Sequence, residues 1–187
     1  MTDGAQRGGE GAGKRYYGKY RGKVVDNIDL LGKGRIIAIV PSVSQLIPTG
    51  WANPCSPYAG LGVGMFFVPP IGANVWIEFE EGNPQYPIWT GGFWDEKDLA
   101  PIFPGPLKPG NFTIRTLTGN SITLSDLPPG IIIDTKDRKR IAIDATGIEL
   151  SWAGAAIKIL PGGIISVTST KNVSIKSATN VSINSPT

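Results

Sequence analysis

The last third of the chain, from Phe112 to Thr187, is a succession of short apolar pairs, each of the form apolar–x–apolar, set between small polar residues. In order, the pairs are Phe112/Ile114, Ile122/Leu124, Ile131/Ile133, Ile141/Ile143, Ile148/Leu150, Ile157/Ile159, Ile165/Val167, Val173/Ile175 and Val181/Ile183. The step from pair to pair varies between 7 and 10 residues and settles at 8 from Ile157 onward. Two apolar residues around one polar residue fit a strand of about 4–5 residues with one buried face. The intervening Thr, Ser, Asn and Gly fit turns. A repeat of this kind signals a stacked β architecture in which no unit buries its own face. Two stacks fit the pattern. One is a single-chain solenoid with three units per turn. The other winds three chains together, each giving one strand per level, with successive strands hydrogen-bonded between chains. Two medium-sized side chains per strand make a thin core for one chain, which favours the shared axis.

The first half reads differently. Tyr16 to Asp26 alternates and is β-prone, Asn27 to Gly34 is a loop, and Arg35 to Val40 is a buried strand. Pro41 to Ala59 is a long connection carrying Trp51 and Cys55. Gly60 to Pro70 ends in a short apolar strand, and Asn74 to Glu80 places Val75, Ile77 and Phe79 on one face. Glu81 to Pro84 is a turn, and Tyr86 to Trp94 is the last strand. Five strands closing on themselves make an OB-like Greek-key barrel without exposed edges. The expected organisation is a flexible arm over 1–15, the barrel over 16–94, a Pro-rich linker over 95–110 and the repeat region over 111–187. The expected fold class is therefore all-β, with an OB-like five-stranded barrel followed by a triple-stranded, intertwined β-helix needle.

Composition narrows the function. The chain has no histidine, which excludes Ser-His-Asp and Cys-His catalysis and removes the commonest transition-metal ligand. No catalytic residue, cofactor or metal is expected. Cys55 is the single cysteine, so no disulfide forms within the chain, and its proline-rich setting reads as a buried structural thiol. The net charge of +3 is small and dispersed, unlike the basic face of a nucleic-acid binder. Lys136 to Arg140 reads as a solvated turn. Asp126, Asp134, Asp137, Asp144 and Glu149 read as exposed charges on turns and strand faces. Trp51, Phe66, Phe67, Trp76, Phe79, Trp89 and Trp94 could stack bases on a barrel but read as core or interface. Met1 to Gly13 is polar and Gly-rich, without an apolar run of signal-peptide length. Synthesis in the cytoplasm is expected.

The stretch from Gly60 to Gly91 goes beyond fold class. It resembles the OB-fold domain of contractile-tail spike proteins: phage baseplate spikes, the VgrG proteins of type VI secretion, and the spikes of phage-like injection particles. The resemblance rests on Met65, Pro69, Gly72, Val75, Glu78, Phe79, Glu81, Gly82, Asn83, Pro84, Pro87, Ile88 and Gly91. It covers residues 16–94 by motif and 111–187 by architecture, since the family's barrel precedes a trimeric β-helix.

The resemblance implies a structural central spike, a membrane-puncturing needle and not an enzyme. It implies a homotrimer assembled into the baseplate of a phage tail or phage-like particle. Its core would hold Ile122, Leu124, Ile131, Ile133, Ile141, Ile143, Ile148, Leu150, Ile157, Ile159, Ile165, Val167, Val173, Ile175, Val181 and Ile183. The family's hub domain is missing before the barrel, which implies a separate trimeric hub protein on the barrel side. No lysozyme-like domain stands between barrel and repeats, and no His-x-His iron site ends the chain. A PAAR-like tip protein is then expected on the blunt C-terminal end, at Val181, Ile183, Asn184 and Ser185. The target membrane is met transiently, and no nucleic acid is expected. The other reading is a free-standing trimeric β-helix that binds or cleaves polysaccharide. Trp152 is the only aromatic after Phe112, a poor lining for a sugar groove, which favours the shaft.

Overall fold

The computed structural model of the chain describes residues 14–96, 98 and 110–182. It divides into two units, Met1–Pro101 and Ile102–Thr187.

The first unit holds strands β1 (Tyr20–Asp26), β2 (Ile37–Ile39), β3 (Asn53–Pro54), β4 (Ala59–Gly60), β5 (Val63–Gly64), β6 (Asn74–Phe79) and β7 (Pro87–Gly92). Five of them form one sheet in the order β2-β1-β6-β7-β3, antiparallel except for the parallel pair β3 and β7. Ile36 and Ala52 then exchange two backbone hydrogen bonds, at 3.2 and 2.7 Å. That bridge ties the outer edge of β2 to the outer edge of β3 and closes the barrel. The order and the single parallel pair are those of an OB barrel.

The alternation of β6 fills this barrel: Val75, Ile77 and Phe79 are buried while Asn74, Trp76 and Glu78 are half-buried on the other face. Val24, Ile36, Ala38, Val40, Ala52 and Trp89 complete the core. The indole N–H of Trp89 donates to the carbonyl of Gly34 at 3.1 Å, so its one polar atom is satisfied. Gly22 faces the core, where a Cβ would lie 2.9 Å from Cγ1 of Ile77.

Two expectations for this unit are corrected. The third barrel strand is Asn53–Pro54, inside the stretch read as a connection, and not Gly60 to Pro70. It escapes a pattern search because it is two residues long and its buried neighbour, Ala52, is small. Gly60 to Pro70 instead carries part of a minor β4–β5 hairpin outside the barrel sheet. Cys55 is exposed and not buried. Alternation from Ala52 turns residues 53 and 55 outward.

The loop before β2 is held from within. The carboxylate of Asp29 accepts the backbone N–H of Leu31, Lys33 and Arg35 at 3.1, 2.8 and 3.3 Å. The Arg35 guanidinium donates to it from Nε at 3.1 Å and from Nη2 at 2.6 Å, and also lies over the Trp51 ring at 5.2 Å. The Asp29 side chain is only 4% exposed. Arg35 foremost, then the three N–H donors, holds its carboxyl well below the usual carboxylate range.

The second unit is a seven-stranded antiparallel meander: β8 (Asn111–Arg115), β9 (Ser121–Asp126), β10 (Pro129–Asp134), β11 (Arg140–Asp144), β12 (Gly147–Trp152), β13 (Ala155–Leu160) and β14 (Ile164–Ser169). Each strand pairs with its sequence neighbours, and no register shift interrupts the ladder. The hydrogen bonding therefore departs from the expectation in one respect. These successive strands pair within the chain, not between chains. The reason is the turns: Ala145–Thr146 and Ala153–Gly154 are two-residue connections, a length that permits only an antiparallel hairpin. Residues 171–182 form no strand. Residues 1–13 of the expected arm, most of the linker and residues 183–187 lie outside the described residues.

The Asp29 staple has a pH signature. A carboxyl whose folded pKa lies below its unfolded value of about 3.9 contributes stability above that value and loses it as pH falls further. Asp29→Asn is expected to lower the melting temperature at neutral pH, with the gap to the parent chain narrowing below about pH 4. Thermal melts across a pH series check this, and a gap that stays constant into strong acid contradicts it.

Candidate functional site

Strand alternation divides the seven-stranded sheet into two unlike faces. On one face the cross-strand register aligns Phe112, Leu124, Ile131, Ile143, Ile148, Ile159 and Ile165 in one continuous row. A second row runs beside it through Ile114, Ile122, Ile133, Ile141, Leu150, Ile157 and Val167. All of these side chains are exposed, from 38% at Ile133 to 70% at Ile165. At about 4.8 Å per strand this stripe is roughly 29 Å long, far more apolar surface than a lone soluble sheet leaves in water.

The opposite face is finished for solvent. Thr113 and Thr123 share a hydroxyl hydrogen bond at 3.2 Å. Lys158 pairs with Glu149 at 3.0 Å, and the Arg140 guanidinium grips Asp134 through both oxygens at 2.8 and 2.9 Å. The hydrogen bond from Arg140 lowers the Asp134 carboxyl pKa. Glu149 is lowered first by a hydrogen bond from Ser151, then by Lys158. Ala142, beneath this polar layer, is the one hydrophobic residue of the unit that is buried among the described residues.

Twelve of the expected core residues, from Ile122 to Val167, thus lie together in the two rows, with Phe112 and Ile114 extending them at β8. Val173, Ile175 and Val181 are exposed and outside any strand. Ile183, Asn184 and Ser185 lie outside the described residues, so of the expected tip contact only Val181 is placed.

The barrel motif residues serve the barrel's own corners. Gly82 adopts φ +73, and a Cβ there would meet the Tyr17 ring at 2.9 Å. Its carbonyl accepts the N–H of Tyr16 at 2.8 Å. Asn83 caps the turn by accepting Gln85 N–H at 3.1 Å, with Pro84 following it. Gly91, at φ +145, sits where the β6–β7 register shifts. The N–H of Gly72 donates to Val24 at 2.8 Å, and Pro69 accepts from the Asn27 amide at 2.9 Å. Pro87 is buried, while Met65 is half-exposed. No group of three metal-ligating side chains occurs among the described residues.

Sequence reasoning missed the two lateral edges of the sheet. One edge carries the turns 116–120, 135–139 and 153–154, with Arg115, Lys136, Arg138, Lys139 and Arg140 at or beside them. The other edge carries the turns 127–128, 145–146 and 161–163, and its only described charges are Asp126 and Asp144. The separation is invisible in a linear reading because only the meander sorts alternate turns to opposite sides.

An OB barrel followed by a sheet with one polar and one exposed apolar face defines a structural β protein built to assemble with copies of itself. Two family models match it. Residues 20–94 match the type VI secretion system/phage-baseplate injector OB domain, and residues 111–187 match the phage baseplate V C-terminal trimerisation domain. The chain belongs to this family of VgrG-like baseplate spike proteins, with a structural role in the baseplate of a phage tail or injection system. A comparison with curated proteins gives no match. No helix among the described residues is long and apolar enough to cross a membrane.

One glycine guards the register of the apolar rows. Gly147 has φ +129, and a Cβ there would fall on the carbonyl oxygen of Ile159 across the β12–β13 pair. Gly147→Ala is expected to destabilise the sheet by more than about 2 kcal/mol. Chemical denaturation measures this, and an unchanged midpoint contradicts it.

Proposed function

We propose that this protein is the central spike of a contractile injection system, a membrane-puncturing needle that joins a separate hub to a tip protein. The observation that carries the reading is the pair of apolar rows on a trimerisation domain. Three sheets facing a common axis would bury those rows against one another and leave the Thr, Glu–Lys and Asp–Arg face outside. Each side chain is already partly covered by its neighbours, so closure adds about half of the 1.5–3 kcal/mol that full burial of such a residue contributes. Summed over the two rows, that is a large driving force, and it makes trimer formation part of folding.

A prism of three sheets is narrow and has no lateral strand edges, since every strand inside it has a neighbour above and below. Such a body suits axial load. In 171–182, where Val173, Ile175 and Val181 find no partner strand in the chain, pairing between chains continues the shaft toward the tip. The PAAR-like tip protein caps the final level near Val181. The hub meets the barrel, where Leu30, Leu31, Leu61 and Phe66 expose apolar area. The hollow on the described polar face, between Arg115, Ser121, Asp134, Arg140 and Glu149, is lined by no aromatic residue that would favour the polysaccharide reading, and both matched families are structural baseplate domains.

Light scattering is expected to give a mass near three times 19.8 kDa, and the band is expected to survive detergent until boiling. Ile143→Asp, which places a carboxylate in the middle of a row, is expected to abolish the trimer. A monomeric parent chain, or a trimer indifferent to Ile143→Asp, sinks the reading.

A further inference from the structure

The trimer reading leaves open what sets the mutual register of the three sheets, since two smooth aliphatic rows slide easily. We propose that the two lateral edges of the sheet are complementary and that each chain's basic turn row locks into the acidic turn row of the next chain. This rests on the reading that the apolar faces meet on one axis.

The geometry follows from threefold closure. Around a rotation axis the contact is head-to-tail: the edge with turns 116–120, 135–139 and 153–154 always meets the opposite edge of a neighbour. Rotation does not change height. In a meander, turns on the two edges are offset by one strand, about 4.8 Å. Turn 135–139, between β10 and β11, therefore stands level with the gap between a neighbour's turns 127–128 and 145–146. The teeth interlock.

The charges match that interlock. Turn 135–139 presents Lys136, Arg138 and Lys139 against one Asp137, and the only ion pair among them is a long 3.8 Å contact of Lys139 with Asp137. The gap it would enter lies between β10 and β11 and is bounded by Pro129 and Asp144, with Asp126 one strand beyond, paired with Pro129; neither carboxylate has an ion pair among the described residues. Alternation places Asp126 on the apolar side with Ile122 and Leu124. Asp144 is on the polar side with Arg140 and Ala142. Closing the axis would take water from Asp126, and a buried carboxylate without a cation is costly. Lys136 of the next chain, at the β10 end of its turn and bonded to Asn120 beside β9, is the cation nearest that level, while Lys139, at the β11 end, stands level with Asp144. The basic turn is also pre-set: Lys136 N–H donates to the Asn120 side chain at 2.9 Å, fixing it to the turn above.

Charge exchange tests this on the full chain. Asp126→Lys and Lys136→Asp are each expected to lower the melting midpoint of the trimer by several degrees, and the combined variant to recover most of the loss. Losses that simply add overturn the edge pairing. A second measurement does not depend on stability. In a Cys55→Ser background, Lys139→Cys with Asp144→Cys is expected to give disulfide-linked dimers and trimers on a non-reducing gel. The two positions lie on opposite edges of one sheet, about 17 Å apart, beyond the reach of a bond within the chain. A trimer that forms no cross-link and shows no rescue overturns the interlock and leaves the apolar-face trimer standing. A monomeric parent chain overturns both.

Discussion

The pleat of a β-sheet sends alternate side chains to opposite sides, and in this protein nearly everything depends on whether a sheet can curl enough to cover its own apolar side. The barrel sheet does. Its ladders shift register between Val24 and Asp26 and again between Trp76 and Ile77, and such irregularities sharpen twist and bend a sheet. With the Ile36–Ala52 bridge the bent sheet meets itself and buries Val75, Ile77 and Trp89 inside one chain. The second sheet has no such shift in any of its pairings. It stays open, its rows stay aligned, and covering them falls to other copies. One chain thus carries both solutions to the same problem, and the difference is local backbone irregularity.

The residues that carry the family likeness in the barrel are corners. Gly82 allows a left-handed turn and the close approach of Tyr17, Asn83 and Pro84 finish that turn, and Gly91 sits at a register shift. Their chemistry is conformational, which explains how a long specific motif accompanies a structural part. Asp29 acts in the same spirit, holding the loop before β2 with Arg35 while Leu30 and Leu31 stand exposed.

The apolar pairs were legible in the sequence because Ile-x-Ile spacing is the signature of a half-buried strand, and β6 was legible for the same reason through Val75, Ile77 and Phe79. The chosen hydrogen-bond partner was not. Alternation is the same whether Ile148 neighbours Ile143 of its own chain or a residue of another. The discriminating information lay in connections as short as Ala153–Gly154, which force a hairpin. The third barrel strand was hidden because Asn53–Pro54 is too short to show a period and its buried anchor is an alanine. Asp126 and Asp144 read as ordinary solvated charges one at a time. Their meaning depends on sharing an edge opposite Lys136 and Lys139, a property of the meander.

Pairing within the chain also sets the order of events during synthesis. Every strand from β8 to β14 finds its partners among its immediate sequence neighbours, so the loops to be closed are short and the sheet has low contact order. Hairpins of this kind form in microseconds, without waiting for another molecule. Encounter of three chains is then the concentration-dependent step that completes folding by covering the apolar rows. A spike built this way is finished at a rate governed by how many nascent copies a cell holds at once.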